Sequence, residues 1–309
     1  MDNSLIQKLD RCLLSSQPVL FTGAGFSLGA TNGQGYLIPS GNELKKNILI
    51  KLLGFDEKSS EYSELINNSL ADICSYANEQ MSENRVQDFI VSEFIDCTPK
   101  DYHITIATFF SWKKIYTINI DDVIENAVPK GSIVVQNTER KFSYTRAKQH
   151  EYIKLHGCVR NRSGNLVFSN QQYVDSMLHS TDYRFNSFAQ DMQLENFVVV
   201  GTEMKEVNLD FYLRLFSSVS ERTSHGQLFF INPKPSLIFK AKVKNLGAHI
   251  IEWTTEEFAN HLKSLTKTKE NYTKSHYIED FLYVNDKYKK DKKFKGYKSY
   301  LYFGQHPDY

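Results

Sequence analysis

The sequence predicts an α/β fold, with a Rossmann-like and mostly parallel sheet, helices on both faces and a small helical insertion. Three observations predict this fold. Short apolar runs are bounded by Gly, Pro or Asx residues, stretches with helical spacing separate these runs, and the intervals are long enough for crossover connections. The composition agrees, because 41% hydrophobic and 24% charged residues in a chain of 309 are typical of a globular protein.

The individual elements follow from these patterns in chain order. Helical spacing of apolar residues predicts helices at 5–14, 42–53, 101–110 and 123–127, and two helices between 60 and 97. Apolar runs predict strands at 18–22, 114–118, 132–136, 152–155, 197–200, 228–231 and 249–253. The stretch between the first strand and the second helix contains Gly29, Gly33, Gly35 and Pro39, so it is expected to be a loop.

Four predicted strands end in small or polar clusters. These clusters are Gly23-Ala24-Gly25, Asn119-Ile120-Asp121, Gly201-Thr202 and Asn232-Pro233. In open α/β sheets, ligands bind outside the carboxyl ends of the strands. The four clusters are therefore expected to converge on one crevice.

Two of these clusters, and His156 farther along the chain, have structural interpretations as well as functional ones. Gly23-Ala24-Gly25 is either a phosphate-binding turn or a tight structural turn, and it lacks a third glycine and a helix of the dehydrogenase kind. Asn119 and Asp121 follow a strand, where Asx side chains often cap a helix. His156 stands before a glycine, so by itself it is more typical of a loop residue than of a catalytic one.

Charge and cysteine usage exclude several classes of protein. The formal net charge of +1 gives no overall reason to expect nucleic acid or an acidic membrane as a partner. The four cysteines are isolated, with neither metal-binding spacing nor a disulfide framework, so no metal site is expected. We expect no signal peptide and no membrane span, and therefore a cytoplasmic protein.

The clusters taken in order are far more specific than any one of them. Gly-Ala-Gly-x-Ser, then Thr-x-Asn-x-Asp, Lys-Leu-His-Gly, Gly-Thr and Ile-Asn together resemble the sirtuin family. Tyr102-His103-Ile104-Thr105-Ile106-Ala107, Tyr116 to Asp122 and Tyr152 to Gly157 are similar to one branch of it, the sirtuin-like effector domains of bacterial anti-phage defence proteins. The resemblance covers about residues 15–263.

The resemblance implies an NAD+-cleaving enzyme with NAD+ as its substrate. It implies that Asn119 and His156 are catalytic: Asn119 orients the attacking group beside the nicotinamide ribose, and His156 is a general base whose ordinary pKa of about 6.5 suits that task. The implied NAD+-binding residues are Gly23, Ala24, Gly25 and Ser27 at the pyrophosphate, Gly201 and Thr202 at the phosphates, Asn232 at the adenosine ribose, and Asp121 behind the Asn119 loop.

Departures from the family pattern favour hydrolysis over protein deacylation. Residues 158–200 contain Cys158 as their one cysteine, so the zinc module of the deacylases, which needs four thiolates, cannot form there. The deacylase patterns Gly-Ile-Pro and Asp-Phe-Arg are missing, Ile118 replaces a Gln, and Glu203 replaces a Ser beside the phosphates. An NAD+ hydrolase is expected, with a deacylase or a non-catalytic sensor of NAD+ or ADP-ribose as alternatives.

The domain organisation predicted is a catalytic domain at 1–263, with a helical insertion at about 55–110, and a basic, Tyr-rich linker or start of a further domain at 264–309. Residues 264–309 contain eight of the 18 tyrosines, and ten lysines against six acidic residues. This segment therefore has a net charge of +4. Because the whole chain has a net charge of +1, residues 1–263 have a net charge of −3. Such a segment can bind single-stranded nucleic acid or pack on a neighbouring domain, and the second is favoured. We expect a homo-oligomer, a sensor domain or partner protein, and a mobile loop at 28–41 over the site.

Overall fold

The computed structural model describes residues 3–136, 150–161, 166–173, 183–204, 209, 213 and 226–267. Its contacts divide the chain into units of residues 1–262 and 263–309. The Tyr-rich segment lies almost wholly outside the described residues. The helices are α1 (Asn3–Ser15), α2 (Ala24–Ser27), α3 (Gly41–Asn47), α4 (Ser60–Leu65), α5 (Leu70–Gln80), α6 (Glu83–Phe94), α7 (Asp101–Ala107), α8 (Val123–Ala127), α9 (Tyr183–Leu194), α10 (Leu237–Asn245) and α11 (255–267).

The strands form one seven-stranded, all-parallel sheet, which confirms the predicted fold class. The strands are β1 (Val19–Thr22), β2 (Lys114–Thr117), β3 (Ile133–Gln136), β4 (His150–Lys154), β5 (Phe197–Val200), β6 (Leu228–Ile231) and β7 (His249–Ile251). Their order is β3-β4-β2-β1-β5-β6-β7. The chain therefore extends the sheet from β1 in both directions, as in doubly wound folds.

Both faces of the sheet are covered, because every residue of β1, β5 and β6 is buried. On one face, Phe188 of α9 lies 5.3 Å from the Phe21 ring and 5.0 Å from the Tyr116 ring, measured between centroids. Farther along the same face, Phe239 of α10 meets Phe230 edge-on at 5.0 Å. These aromatic pairs add packing contacts between the helices and the short strands of the sheet.

The insertion differs from the sequence prediction, since three helices replace the two expected between 60 and 97. The first of them, α4, ends early because the side-chain amides of Asn67 and Asn68 donate to its last carbonyls. Ser69 then starts α5, accepting from the backbone N–H of Asp72 while the Asp72 carboxylate accepts from the N–H of Ser69. Side-chain capping thus breaks an apolar pattern that is continuous in sequence.

The segment expected as one helix at 42–53 also has two parts. Helix α3 begins with a capping box formed by Ser40 and Glu43, and continues as a π-helical turn at Ile48–Leu52. None of the helices in the described ranges is long and apolar enough to cross a bilayer.

Candidate functional site

Strand register aligns the sequence clusters along one edge of the sheet. Thr22 of β1 is paired with Thr117 of β2 and with Val200 of β5, Thr117 is paired with Lys154 of β4, and Val200 is paired with Ile231 of β6. The segments that follow these residues therefore leave the sheet at the same edge. Asn119 and His156 follow strands on one side of β1, whereas Gly201, Thr202 and Asn232 follow strands on the other side.

The Gly-Ala-Gly turn begins a single helical turn, α2, where the sequence analysis expected no helix. Its Gly23 and Gly25 pack directly against the turn after β5: a Cβ on Gly23 would lie 2.4 Å from the Cβ of Thr202, and one on Gly25 would lie 2.9 Å from the Cα of Gly201. Gly201 has a φ of +77°, and its own Cβ would lie 2.1 Å from the Phe26 nitrogen. These three glycines are therefore required for close packing of two backbone turns.

In the same packing, most of the backbone N–H groups that the sequence predicts to bind an anion are hydrogen-bonded to carbonyls of the protein. The N–H of Gly23 donates to the carbonyl of Val200 at 3.0 Å, that of Gly25 to Gly201 at 2.8 Å, and that of Phe26 back to Gly23 at 2.8 Å. Ala24, at the first position of α2, is left with an N–H that has no hydrogen bond to the described residues. The turn thus offers fewer backbone donors than its glycine pattern indicates.

Asn119 is held against this turn in one orientation. Its Nδ2 donates to the carbonyl oxygen of Gly23 at 2.9 Å and to the Oγ of Ser27 at 2.8 Å. A carbonyl can only accept, so the amide nitrogen must face Gly23, and both of its protons are used. The amide oxygen Oδ1 has no hydrogen bond within the described part of the chain, and it is the atom of Asn119 that can accept one from a ligand.

Asp121 supports Asn119 through Ser27. The Ser27 hydroxyl donates to the Oδ2 of Asp121 at 2.7 Å, so the oxygen of Ser27 is an acceptor toward Asn119. The Oδ1 of Asp121 accepts from the N–H of Val123 at 3.1 Å, which also caps α8. Asp121 therefore binds the first N–H of α8 and supports the Asn119 loop, while the catalytic and NAD+-binding roles of this Asx cluster stay predictions.

A buried ion pair lies beneath this loop. The ammonium of Lys154, whose side chain is 2% exposed, is 2.9 Å from the Oε1 of Glu125, which is 4% exposed. Lys154 also donates to the carbonyls of Ile120, at 3.1 Å, and Asp121. Burial by itself would lower the pKa of Lys154, but Glu125 and the other acidic groups around it together outweigh burial, and the pKa lies above its ordinary value.

His156 lies at the expected edge of the sheet, but its pKa is lower than the sequence predicts. It is buried, and its ring meets that of Tyr173 edge-on at 5.3 Å between centroids. Burial, with a smaller contribution from the Arg184 charge, lowers the pKa of His156 to about 3. His156 is therefore neutral at physiological pH and can form hydrogen bonds, but the argument from an ordinary histidine pKa near neutrality is wrong for this environment.

On the other side of β1, Glu203 engages Asn232. The Nδ2 of Asn232 donates to Glu203 at 3.2 Å, and its Oδ1 accepts from the N–H of Lys234 at 3.0 Å. Glu203 also accepts from the N–H of Ser236 at 3.1 Å. Glu203 is thus bonded to the start of α10, and the amide of Asn232 is mostly committed inside the protein.

The comparisons with known proteins concern the domain and the fold that carry these residues. Residues 113–251 match the SIR2-like domain. This SIR2-like segment contains Asn119, Asp121, His156, Gly201 and Asn232 and begins just before β2. A comparison with curated protein sequences gave no match.

The solved structures that the chain resembles share the fold of the SIR2-like segment and extend beyond it. A crystal structure of a Sir2 homologue in complex with NAD is 15% identical, covers 85% of this chain and 94% of its own, and has a TM-score of 0.51. A variant of a Sir2 homologue in complex with ADP-ribose is also 15% identical, with coverages of 88% and 98% and a TM-score of 0.50. At this identity the likeness shows the fold.

Several residues of the site were not singled out from the sequence. Lys154 stands in the quoted Lys-Leu-His-Gly motif, and a lysine inside an apolar strand is the signal that could have identified it. His103 of α7 is fully buried, donating from Nε2 to the carbonyl of Phe26 at 2.8 Å and accepting at Nδ1 from the N–H of Lys100 at 2.8 Å. Tyr102 donates to the carbonyl of Leu28 at 2.6 Å. Helix α7 thus holds the far end of the Gly-Ala-Gly turn.

The loop after α2 is tied to its surroundings. The Oδ1 of Asn32 accepts from the N–H groups of Gln34 and Tyr36, both at 3.1 Å, and Thr31 forms antiparallel bridges with Leu37 and Thr98. The mobility of this loop over a ligand stays a prediction. Among the described residues, no group of three or more His, Cys, Asp or Glu side chains could hold a metal ion.

Proposed function

We propose that the chain is an NAD+ hydrolase that cleaves the nicotinamide–ribose bond of NAD+ and releases nicotinamide and ADP-ribose. The proposal rests on one observation above all: both Nδ2 protons of Asn119 are bonded to Gly23 and Ser27, so its Oδ1 is presented as an acceptor beside the Gly-Ala-Gly turn. Such an acceptor can orient a water molecule or a ribose hydroxyl without titrating.

The sheet order supports an arrangement for the dinucleotide. With the pyrophosphate at the turn after β1, the nicotinamide ribose would lie toward Asn119 and His156, after β2 and β4. The adenosine would lie toward Thr202 and Asn232, after β5 and β6. This is the switch-point location in which doubly wound folds bind dinucleotides.

Cleavage of the nicotinamide–ribose bond does not require a strong general acid or a strong general base. When the bond between C1′ and the pyridine nitrogen breaks, its electron pair returns to nicotinamide, which leaves as a neutral molecule, and the ribose passes through an oxocarbenium-like state. The oxygen of water then bonds to C1′ and a proton is released. A neutral His156 can accept a hydrogen bond from a ribose hydroxyl or this water, while Asn119 orients the attack.

Water is favoured over an acylated protein as the acceptor. The four-thiolate zinc module of the deacylases cannot form within residues 158–200, where Cys158 is the one cysteine. Without that module, the cleft for an acylated peptide would lack one wall. The function proposed therefore needs no zinc.

The experiment that tests this function measures nicotinamide release from NAD+ by the purified chain in the absence of any acylated peptide. We expect Asn119→Ala to lower the rate at least about a hundredfold, since it removes the positioned acceptor. Asn67→Ala, which removes an exposed amide bonded to Ser63, serves as the matched control and should leave the rate unchanged. Undiminished hydrolysis by Asn119→Ala would contradict the assignment of the site.

A second candidate, a non-catalytic sensor of NAD+ or ADP-ribose, is favoured by the low pKa of His156. A histidine with a pKa of about 3 is a weak proton acceptor, whereas a binding site needs a neutral hydrogen-bonding group and no base. Saturable ADP-ribose binding by calorimetry, without nicotinamide release in any oligomeric state, would select the sensor. Release that saturates with NAD+ and disappears in Asn119→Ala selects the hydrolase.

The biological role proposed is NAD+ depletion in anti-phage defence, by a cytoplasmic homo-oligomer coupled to a sensor domain or partner protein. The support is the resemblance of three motifs, at Tyr102, Tyr116 and Tyr152, to defence effectors. We expect cells that express the chain to lose NAD+ on phage infection, with Asn119→Ala as the control. Equal NAD+ levels in both strains after infection would contradict this role.

A further inference from the structure

We propose that Lys154 is a positioning residue: its buried ammonium keeps Asp121 ionised and thereby maintains, through Ser27, one of the two hydrogen bonds that orient the Asn119 amide. The part concerning Asn119 rests on the proposed function, whereas the part concerning Asp121 does not. Lys154 contacts the carbonyls of Ile120 and Asp121, which directly follow Asn119 in the chain. It therefore lies under the loop that carries the site and does not need to touch a ligand.

The buried cluster of titratable side chains around Asp121 carries more negative than positive charge. The titratable groups that face Asp121 are Lys154 and Tyr152 from β4, Glu125 from α8, and Cys97 from the segment after α6. Burial raises the pKa of Tyr152 and of Cys97, so both are neutral at physiological pH. One ammonium thus offsets two buried carboxylates, and its loss would leave those two carboxylates facing each other in an apolar environment.

The pKa of Asp121 depends on the charge of Lys154. Burial raises the pKa of Asp121 above its ordinary value, while the charge of Lys154 and the hydrogen bond from Ser27 oppose that rise. Without Lys154, Asp121 would lose the largest of the contributions that oppose the effect of burial on its pKa. Asp121 would then take up a proton at a pH closer to neutrality.

The protonation state of Asp121 affects Asn119 through the hydroxyl group of Ser27. While Asp121 is ionised, the single hydroxyl proton of Ser27 is bonded to its Oδ2, so Ser27 can only accept from the amide of Asn119. A protonated Asp121 can donate to Ser27 instead, so the Ser27 hydroxyl is no longer restricted to accepting from Asn119. The Gly23 carbonyl would then be the remaining partner that orients the amide, and Asn119 would present its Oδ1 to a ligand less rigidly.

The experiment is a titration of the Asp121 carboxyl carbon by NMR, in protein labelled with 13C at the aspartate side-chain carboxyl and assigned with Asp121→Asn. In Lys154→Met we expect the Asp121 midpoint to rise by about one pH unit or more. In Glu125→Gln, which keeps an acceptor for Lys154 but removes the competing negative charge, we expect the midpoint to fall. Lys114→Met is the matched control, because it breaks a partly buried lysine pair with Asp191 at the opposite edge of the sheet and should leave Asp121 unchanged.

The outcomes test the role of Lys154 separately from the proposed hydrolase activity. A midpoint of Asp121 that is the same in wild type and Lys154→Met, or that moves equally in Lys114→Met, overturns it. If Lys154→Met does not fold, the direction of the Glu125→Gln shift decides, and no downward shift overturns the proposal. The pH profile of nicotinamide release gives the link to Asn119: its acidic limb should move with the Asp121 midpoint. Since the titration uses no NAD+, an inactive wild type would contradict the proposed hydrolase and leave the test of Lys154 and Asp121 intact.

Discussion

The N–H of Gly25 donates a 2.8 Å hydrogen bond to the carbonyl of Gly201, and this bond joins the turn after β1 to the turn after β5. The two glycines come from distant parts of the chain and meet because β1 and β5 are neighbours in the sheet. Their contact leaves no room for a methyl group on either residue. The carboxyl edge of the sheet is thus built around two interlocked turns.

The first prediction concerns the packing of these turns. Gly201→Ala should lower the free energy of unfolding by about 3 kcal/mol, since it combines a positive φ with a Cβ that would overlap the Phe26 backbone. Gly54→Ala is the control, with a φ of +78° and no atom within 4 Å of the added Cβ, and should cost about 1 kcal/mol. Urea denaturation measures both, and equal losses would show that packing contributes nothing.

The second prediction concerns Ser27. In Ser27→Ala the buried Asp121 loses a donor and Asn119 loses an acceptor, so we expect the kcat of nicotinamide release to fall about tenfold or more, with a smaller change in KM. Ser111→Ala removes another buried hydroxyl, three residues before β2 at the amino edge, and should leave kcat unchanged. A rise in KM with an unchanged kcat for Ser27→Ala would contradict the positioning of Asn119 by Ser27.

The third prediction concerns pH and His103. Burial lowers the pKa of His103 to about 4 in the folded protein, whereas an unfolded histidine titrates near its ordinary value of about 6.5. Between these values the unfolded chain binds more protons, so stability falls as the pH falls through this window. At about pH 5 the His103 contribution is a loss of about 2 kcal/mol relative to neutral pH.

The variant that isolates this effect is His103→Asn, which keeps an acceptor near the N–H of Lys100. Its unfolding free energy should be lower than that of wild type at neutral pH but should depend less on pH, by about 2 kcal/mol between pH 7 and pH 5. Urea denaturation at the two pH values checks this. Parallel pH dependences for variant and wild type would show that His103 is not held neutral.

The fourth prediction separates the two partners of an ion pair. Asp122 is fully buried and accepts from the N–H groups of Asp96, at 3.2 Å, and Cys97, at 2.8 Å, and from the side chain of Arg160 at 2.9 Å. Asp122→Ala should cost about 3 kcal/mol, because it leaves buried N–H groups without a partner. The Arg160 side chain is 44% exposed, so Arg160→Ala should cost less than about 1 kcal/mol. Thermal or urea unfolding measures both, and equal costs would show that the ion pair dominates.

The sequence by itself determined the fold class, the order of the strands along the chain and the residues at their carboxyl ends. Those features depend on local patterns: short apolar runs such as 197–200 are typical of buried strands, and a glycine or Asx residue follows most of them. The insertion was predicted less well, because whether Ser69 begins a new helix depends on a reciprocal hydrogen bond with Asp72 that apolar spacing does not reveal.

Only the tertiary structure decided how these residues act on one another. The glycines of the first turn could be assigned to an anion from the sequence, yet the neighbouring position of Gly201 shows that backbone packing requires them. The basicity of His156 and the support that Lys154 gives to the Asn119 loop depend on burial and on charges from distant strands. Such long-range effects have no local signal, because the pKa of a side chain and the orientation of an amide are properties of the folded environment.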